Sequence, residues 1–173
     1  MISIICTTNR TDSNSLKLSE LYKRKIEELD EPCQILDLRT VPAHWIEDSN
    51  YGNNTPEFDA LTEKYIRSVG KLIFITPEYN GSFPGYVKFF MDACNWGDFS
   101  GKRVALTGLA TGRSGNLRGL DHLTGILHYL GSEVYSKKVC ISQVNQSINK
   151  DGALNDAQAE KEIEEQLKGF INF

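Results

Sequence analysis

A polar segment near the N-terminus carries residue types that can hold an anion. Residues 7–15 read TTNRTDSNS and lie between an apolar run and an amphipathic segment, which predicts a loop joining a buried strand to a helix. Free N–H groups and the dipole at such a helix N-terminus attract a phosphate, and Arg10 adds a full positive charge. Such residues also cap helices, but nine polar residues in a row exceed what one cap requires. Further hydrogen-bonding side chains come from Thr8, Ser13, Asn14 and Ser15.

Other phosphate-binding loops are excluded by their spacing. A dinucleotide fold needs G-x-G-x-x-G and a nucleotide triphosphatase needs G-x-x-x-x-G-K-[ST], whereas residues 7–15 contain no glycine. A low-molecular-weight phosphotyrosine phosphatase has a similar layout but needs a nucleophilic cysteine six residues before its arginine, and Cys6 and Arg10 are only four apart. A response-regulator receiver needs an acidic pair after its first strand, and this chain has none there.

Alternating strands and helices must position this loop. Apolar, β-branched runs predict strands at residues 2–6, 34–38, 71–76, 103–107 and 133–142. Apolar residues at three- and four-residue spacing predict helices at about residues 18–29, 55–69, 86–96, 120–130 and 156–173. Five strands alternating with five helices are typical of an open parallel sheet covered on both faces. Such sheets bind ligands outside the carboxyl ends of their strands, which here are followed by the loops 7–15, 77–85 and 108–119.

The loop after the third predicted strand is the most specific feature of the sequence. Residues 76–85 read TPEYNGSFPG. They resemble the P-E-Y-N-x-S-x-P-G signature of the NADPH-dependent FMN reductase family, which includes chromate, quinone and azo reductases. Arg10 and Ser13 match the R-x-x-S of that family's phosphate loop, and Lys88 and Asp92 match its following K-x-x-x-D. One stretch departs from the pattern, since many relatives have D-W-x-S-R where this chain reads DACNWGD.

The resemblance implies an α/β fold of the flavodoxin-like type. This fold is a three-layer sandwich in which a five-stranded parallel sheet of order 2-1-3-4-5 carries helices on both faces. The resemblance also implies FMN as the cofactor, with its phosphate in the first loop. Prolines at both ends stiffen the second loop, and its backbone N–H groups at residues 78–81 are expected to bind the pyrimidine edge and N5 of the flavin. The residues that would meet the ring are Pro77, Glu78, Tyr79, Asn80 and Gly81.

The glycine-rich stretch after the fourth predicted strand is expected to border the ring. Thr107, Gly108 and Gly112 are candidates for cofactor contacts, since the glycines permit close approach. Arg113 and Arg118 are candidates for the phosphate of NADPH, although a single arginine is as often a surface charge or a subunit contact. The segment 39–54, which contains Trp45 and Tyr51, follows the second strand and is a candidate for shaping the substrate site.

Composition limits the classes of partner. The 173 residues carry 19 Lys and Arg against 23 Asp and Glu, a net charge of −4 that argues against nucleic acid and anionic membranes. We expect a cytoplasmic protein, because no segment approaches the ~20 apolar residues of a membrane helix and the N-terminus lacks the pattern of a signal peptide. The length predicts one domain over residues 1–173. Neither the four cysteines nor the three histidines have metal-ligand spacing, so we expect no metal site.

These features predict an NAD(P)H-dependent FMN oxidoreductase. Hydride from NADPH or NADH would pass to N5 of the flavin, and from there the electrons would pass to a quinone, azo, nitro, chromate or similar acceptor. No protein side chain is assigned as catalytic, because the flavin carries the chemistry and the sequence has no Ser/His/Asp or Cys/His arrangement. One alternative is a flavodoxin-type FMN electron carrier without NAD(P)H activity, and another is a protein of this fold with a degenerate site. Aromatic residues at 86–96, together with the resemblance, predict a homodimer or homotetramer.

Overall fold

A computed structural model of the chain describes residues 1–49, 53–149 and 151–173. Shorter helical turns lie at Leu38–Thr40 and Trp96–Phe99, and a π-helical turn lies at Glu63–Arg67. The strands are β1 (Ile2–Cys6), β2 (Cys33–Asp37), β3 (Lys71–Pro77), β4 (Arg103–Leu109), β5 (Glu133–Val134) and β6 (Val139–Ile141). The α-helices are α1 (Asn14–Glu27), α2 (Ala43–Glu47), α3 (Pro56–Thr62), α4 (Gly85–Ala93), α5 (Leu117–Tyr129), α6 (Val144–Ser147) and α7 (Ala157–Ile171).

All strand pairs are parallel, and the order across the sheet is β2-β1-β3-β4-β5, with β6 also paired to β4. Strand β1 lies between β2 and β3, so that Ile4 stands opposite both Ile35 and Ile73. The predicted order 2-1-3-4-5 is confirmed. Because strand order reverses beside β1, the loops after β1 and β3 open away from each other and leave a crevice at the carboxyl edge of the sheet.

Helices cover both faces of the sheet and make a three-layer sandwich. Ile4 and Ile73 point to one face, where they pack with α1 and α7. Ile5 and Phe74 point to the other face, where they pack with α3, α4 and α5. The alternation follows from the two-residue period of a strand, and the continuous apolar runs of β1 and β3 are what burial on both faces requires.

The predicted fifth strand, residues 133–142, is wrong as a continuous element. The structure divides it into β5 and β6, and both pair with β4. At the break, the side chain of Gln166 on α7 supplies the missing hydrogen bonds: its Nε2 donates to the carbonyl oxygens of Leu106 (3.0 Å) and Lys137 (2.9 Å). Tyr135 leaves the sheet at the same point and packs its ring 6.0 Å from that of Phe170.

Two further predictions on element boundaries differ from the structure. Strand β4 continues two residues beyond its predicted end to Leu109, so Gly108 and Leu109 belong to the sheet rather than to the loop 108–119. The segment 39–54, predicted as a loop, contains α2, and its Trp45 packs against the core on the α4 side. Tyr51, which we named with Trp45 as a candidate for shaping the substrate site, lies outside the described residues.

Candidate functional site

The loop after β1 places the N-terminus of α1 at the carboxyl edge of the sheet. Ser13 is the N-cap, and its Oγ accepts a hydrogen bond from the N–H of Leu16 (3.1 Å). A hydroxyl that accepts one bond still has its proton to donate, so capping and ligand binding are compatible at Ser13. The first N–H groups of a helix have no intrahelical acceptor, and the helix dipole adds positive potential there. The 14-residue helix α1 therefore presents donors at this edge.

Tyr79 joins this loop to the segment that follows β3. Its hydroxyl lies 2.5 Å from Oγ1 of Thr8, which is buried and also accepts a hydrogen bond from the N–H of Arg10 (3.2 Å). The Arg10 guanidinium lies 6.0 Å from the centre of the Tyr79 ring, within the range of a cation–π contact. These contacts fix the distance between the two loops before any ligand is present.

Residues 79–82 form a tight turn. Tyr79 and Ser82 exchange two backbone hydrogen bonds, of 2.9 and 3.0 Å. Asn80 (φ +52°) and Gly81 (φ +76°) both have positive φ, which is the pattern of a type I′ turn and explains an Asn-Gly pair at its centre. Within the described residues, no acceptor takes the N–H of Asn80 or of Gly81. We refer to residues 79–82 as the tight turn.

The expectation that all N–H groups of residues 78–81 face a ligand is wrong for two of them. The N–H of Glu78 donates to the carbonyl oxygen of Leu109 (2.9 Å), and that of Tyr79 donates to Ser82 across the turn. The first bond continues the β3–β4 pairing by one residue, and the second closes the turn. Only the N–H groups of Asn80 and Gly81 stay available.

A cavity of about 310 Å³ lies between these loops, at the edge of the sheet where β1, β3 and β4 end. Its volume is within the range of small-ligand sites. Its lining is mostly polar, unlike a pocket for an apolar substrate, and includes the carboxyl groups of Asp12 and Glu78. Glu78 accepts a hydrogen bond from the Ser114 hydroxyl (2.7 Å). The lining residues are Arg10, Asp12, Ser13, Asn14, Ser15, Pro77, Glu78, Tyr79, Leu109, Thr111, Val144 and Asn145.

Cys6 lies under the loop and is not a nucleophile. It is fully buried at the end of β1. Burial, and to a lesser degree the Asp37 carboxylate, raise the pKa of its thiol to about 11. A nucleophilic cysteine needs a lowered pKa and access to the substrate. The structure therefore agrees with the spacing argument against a phosphatase.

The structure brings together seven of the thirteen predicted cofactor residues as cavity lining. Thr8 lies behind Tyr79 and holds it in place, while Asn80 and Gly81 are in the tight turn beside the cavity. Gly112 follows the lining residue Thr111, and its carbonyl oxygen accepts from the N–H of Gln143 (2.9 Å). The seven lining residues are Arg10, Ser13, Asn14, Ser15, Pro77, Glu78 and Tyr79.

Two of the thirteen face away from the cavity. Thr107 is fully buried, and its hydroxyl donates to Oε1 of Gln166 (3.0 Å) and lies 2.7 Å from the Tyr22 hydroxyl. Gly108 packs against the turn before α5, where an added Cβ would lie 2.3 Å from the carbonyl oxygen of Gly115. Thr107 is thus part of a buried polar network, and Gly108 allows contact with protein backbone rather than with a ring.

Five lining residues were absent from the predicted cofactor contacts, and one of them is Asp12 in the loop after β1. Leu109 ends β4 and Thr111 follows it, and Val144 and Asn145 open the short helix α6 after β6. Asn145 Oδ1 accepts a hydrogen bond from Asn14 Nδ2 (2.9 Å), which links α6 to the phosphate-loop candidate. Val144 and Asn145 follow the carboxyl end of the last strand, and that position is the sequence signal that could have identified them.

A second, larger cavity lies between α4 and α5, away from the loops. It has about 520 Å³, and residues that line it include Met91, Trp96, His122, Ile126 and Tyr129. Trp96 and Tyr129 are 78% and 91% exposed, which is high for large aromatic side chains. We call this cavity the apolar groove.

Within residues 1–49, 53–149 and 151–173, no group of three or more His, Cys, Asp or Glu side chains could hold a metal ion. Across the same described ranges, no helix has both the length and the apolar character needed to cross a membrane.

The chain is similar in sequence and in fold to known flavin-dependent and quinone reductases. A curated relative from Pseudomonas aeruginosa, named NAD(P)H-dependent FMN reductase, is 30% identical over 144 residues, covering 79% of this chain and 75% of the relative. A 2-hydroxy-1,4-benzoquinone reductase from a Burkholderia species is 27% identical over 133 residues, covering 75% of this chain and 70% of that protein. Among solved structures, the flavoenzyme NAD(P)H:(acceptor) oxidoreductase of Paracoccus denitrificans superposes with a TM-score of 0.79. At 21% identity, over 99% of this chain and 94% of that one, this likeness concerns the fold.

The family described as "NADPH-dependent FMN reductase" matches residues 1–146, which include every residue that lines the cavity. The match covers most of the 173 residues, from β1 through α6. The chain therefore belongs to the NADPH-dependent FMN reductase family.

Proposed function

We propose that this protein binds FMN in the cavity at the carboxyl edge of its sheet and transfers electrons from NADPH or NADH to a small-molecule acceptor. One observation carries the proposal: the N-terminus of α1 and the PEYNGS segment meet in a single cavity of about 310 Å³. The first element suits a phosphate and the second suits the polar edge of a flat ring. Few ligands other than a flavin mononucleotide need both.

The residues fit the phosphate of FMN. Arg10 supplies positive charge, and the N–H groups at the start of α1 with the hydroxyls of Ser13 and Ser15 supply donors. Asp12 has φ +55° in this loop, and its carboxylate is an acceptor that cannot bind the phosphate. Within the described residues, no carboxylate forms an ion pair with Arg10. Its charge is therefore available to the phosphate.

The residues also fit the ring. Pro77 and Tyr79 wall the cavity on the β3 side, and the N–H groups of Asn80 and Gly81 stand beside it as donors. When bound, FMN supplies the chemistry of a two-electron carrier, which accepts a hydride from a reduced nicotinamide and reduces the acceptor. The chain supplies position, hydrogen bonds to the flavin and a site open to both substrates. Among the described residues, the lining contains no histidine or cysteine and so no Ser/His/Asp or Cys/His arrangement, which is consistent with this division of roles.

The acceptor is proposed to be a quinone or a related compound, such as an azo, nitro or chromate acceptor. A relative of 27% identity is named as a benzoquinone reductase, which favours a quinone as the first compound to test. The preference between NADPH and NADH stays open, so both are candidates for the donor. Arg113 and Arg118 stay candidates for the extra phosphate of NADPH.

We further propose a homodimer or homotetramer that covers the apolar groove. The groove joins α4 and α5, and the exposed Trp96 and Tyr129 stand at it together. Phe89, 38% exposed on α4, extends the aromatic surface. Aromatic residues are enriched where subunits meet.

The chain is proposed to act as one domain, residues 1–173, in the cytoplasm. Ile2 and Phe170 pack in the same core, which supports a single unit. All four cysteines are free thiols, which suits a reducing compartment.

Steady-state oxidation of NADPH and NADH tests the proposed function. We expect the protein loaded with FMN to oxidise at least one of them with a quinone acceptor, and the flavin-free protein to be inactive until FMN is added. Tight FMN binding without oxidation of either nicotinamide would instead identify a flavodoxin-type carrier. No FMN binding at all would refute both readings.

A further inference from the structure

The first half of α5 and the turn before it contact the end of β3 and parts of the segment that follows it. Ser114 donates to Glu78 (2.7 Å), and Nδ2 of the buried Asn116 donates to the carbonyl oxygen of Thr76 (2.9 Å). Gly119 lies so close to the tight turn that an added Cβ would be 2.7 Å from the carbonyl carbon of Ser82. The tight turn is therefore held from the α5 side as well as from the Thr8 side.

His122, on α5, makes a side-chain contact with the tight turn. Its Nδ1 lies 2.9 Å from Oγ of Ser82, the residue that closes the tight turn with two backbone bonds to Tyr79. A serine hydroxyl either donates to a neutral imidazole nitrogen or accepts from a protonated one, so the contact is favourable in both states. Arg118 also lies against the turn, with Nη1 3.0 Å from the position of a Cβ at Gly81.

Through these contacts His122 can influence flavin binding, although it does not line the cavity. The N–H groups of Asn80 and Gly81 are the only two in the turn without an acceptor among the described residues, so their direction depends on how firmly residues 79 and 82 are held. We propose that His122 is a positioning residue, which through Ser82 fixes the tight turn and so sets the strength with which its N–H groups hold the flavin ring. This inference rests on the proposed function, because it requires a bound flavin.

His122 also lines the apolar groove. It is thus the side chain that connects the tight turn to the surface proposed to meet a second subunit. The molecular mass of each variant in solution must therefore be measured, so that only variants in the same oligomeric state are compared.

The experiment measures dissociation constants for FMN and for riboflavin, by quenching of flavin fluorescence on titration with flavin-free protein. Ser82→Ala and His122→Ala are each expected to raise both constants roughly two- to tenfold, the range that loss of one hydrogen bond produces. The double variant is expected to be no weaker than the weaker single variant, because both substitutions remove the same bond. Arg10→Gln, on the phosphate side, is expected to weaken FMN binding only.

Two controls separate positioning from a general effect on the fold. His122→Asn keeps a hydrogen-bonding atom close to the place of Nδ1 and is expected to restore both constants to within twofold of the wild type. His128→Ala removes an exposed histidine from the same helix and is expected to change neither. The midpoint potential of the bound flavin is expected to shift in Ser82→Ala and His122→Ala and to stay constant in both controls.

The outcomes distinguish this inference from the proposed function. A wild-type protein that binds neither flavin refutes the proposed function, and the positioning role with it. A wild-type protein that binds, with single variants within twofold of it or with effects that multiply in the double variant, refutes the positioning role alone.

Discussion

Replacing Gln166 by leucine is expected to destabilise the fold strongly without altering flavin affinity. Gln166 is fully buried on α7, and its amide spans the break between β5 and β6. Its Nε2 donates to two carbonyl oxygens, those of Leu106 and Lys137, and its Oε1 accepts from the hydroxyls of Tyr22 (2.8 Å) and Thr107 (3.0 Å). Leucine has a similar size but can make none of these four bonds.

The magnitude follows from the groups left without partners. The two hydroxyls can still bond each other across 2.7 Å, which satisfies one of their two protons. The Leu106 carbonyl has no such alternative, and the Lys137 carbonyl is only partly accessible to water. A buried polar group without a partner costs about 1–3 kcal/mol, so we expect a loss of about 2–5 kcal/mol after the gain from the apolar leucine. Since domains of this kind unfold with about 5–15 kcal/mol, the loss is a large share of the total.

Urea unfolding followed by circular dichroism measures this loss. The matched control is Gln158→Leu, at an exposed glutamine of the same helix, which we expect to change stability by less than about 0.5 kcal/mol. Thr107→Val should cost about 1–2 kcal/mol and leave the FMN dissociation constant unchanged, because its hydroxyl faces α7 and not the cavity. A loss below about 1 kcal/mol for Gln166→Leu, or weaker FMN binding by Thr107→Val, would refute the reasoning.

Three further predictions concern the loop and its surroundings. Arg10→Gln should weaken FMN binding by about tenfold, as expected for loss of a hydrogen bond to a charged group. Riboflavin binding should stay unchanged in the same fluorescence titration. Equal losses for both flavins would contradict a role of Arg10 at the phosphate. Thr8→Val and Tyr79→Phe should each weaken FMN binding several-fold by isothermal titration calorimetry and should not be additive, since they remove one shared bond. The thiol of Cys6 has a pKa of about 11 in the folded protein and 9.0 in the unfolded chain, so it ionises first in the unfolded state. The free energy of unfolding should therefore fall between pH 9 and about pH 11, by up to roughly 3 kcal/mol. In urea unfolding measured at a series of pH values, the Cys6→Ala variant should not show this loss of stability. Identical curves of stability against pH for the variant and the wild type would show that Cys6 does not cause the loss.

The local pattern predicted those parts of the site that depend on neighbouring residues. The sequence predicts a loop at residues 77–85, and the structure has a tight turn there in which Asn80 and Gly81 have positive φ. The polar residues before the first amphipathic run predicted a helix N-terminus near residue 18, and the helix begins earlier, at Asn14, with Ser13 as its N-cap. Alternating strands and helices predicted a parallel sheet covered on both faces, and the order of its strands followed from the family resemblance.

The parts that the sequence did not predict depend on contacts between distant residues. Thr107 lies in β4, and its hydroxyl faces the buried amide of Gln166, which is 59 positions later in the chain. The residues next to Thr107 do not reveal this contact. The break in the last strand also depends on Gln166. Its side chain supplies hydrogen bonds that a continuous strand at residues 133–142 would otherwise have made, and the composition of those residues does not show this. Val144 and Asn145 reach the cavity from a short helix whose position depends on backbone bonds to Ala110 and Gly112.

The central claim is that the cavity holds FMN so that a nicotinamide can reduce it. Anaerobic titration of the FMN-loaded protein with NADPH, and separately with NADH, tests it most directly through the visible absorption of the flavin. We expect the oxidised flavin band to disappear after one equivalent of at least one nicotinamide per bound flavin and to return when a quinone is added. A band that neither nicotinamide changes, in protein that has bound FMN, would contradict the account.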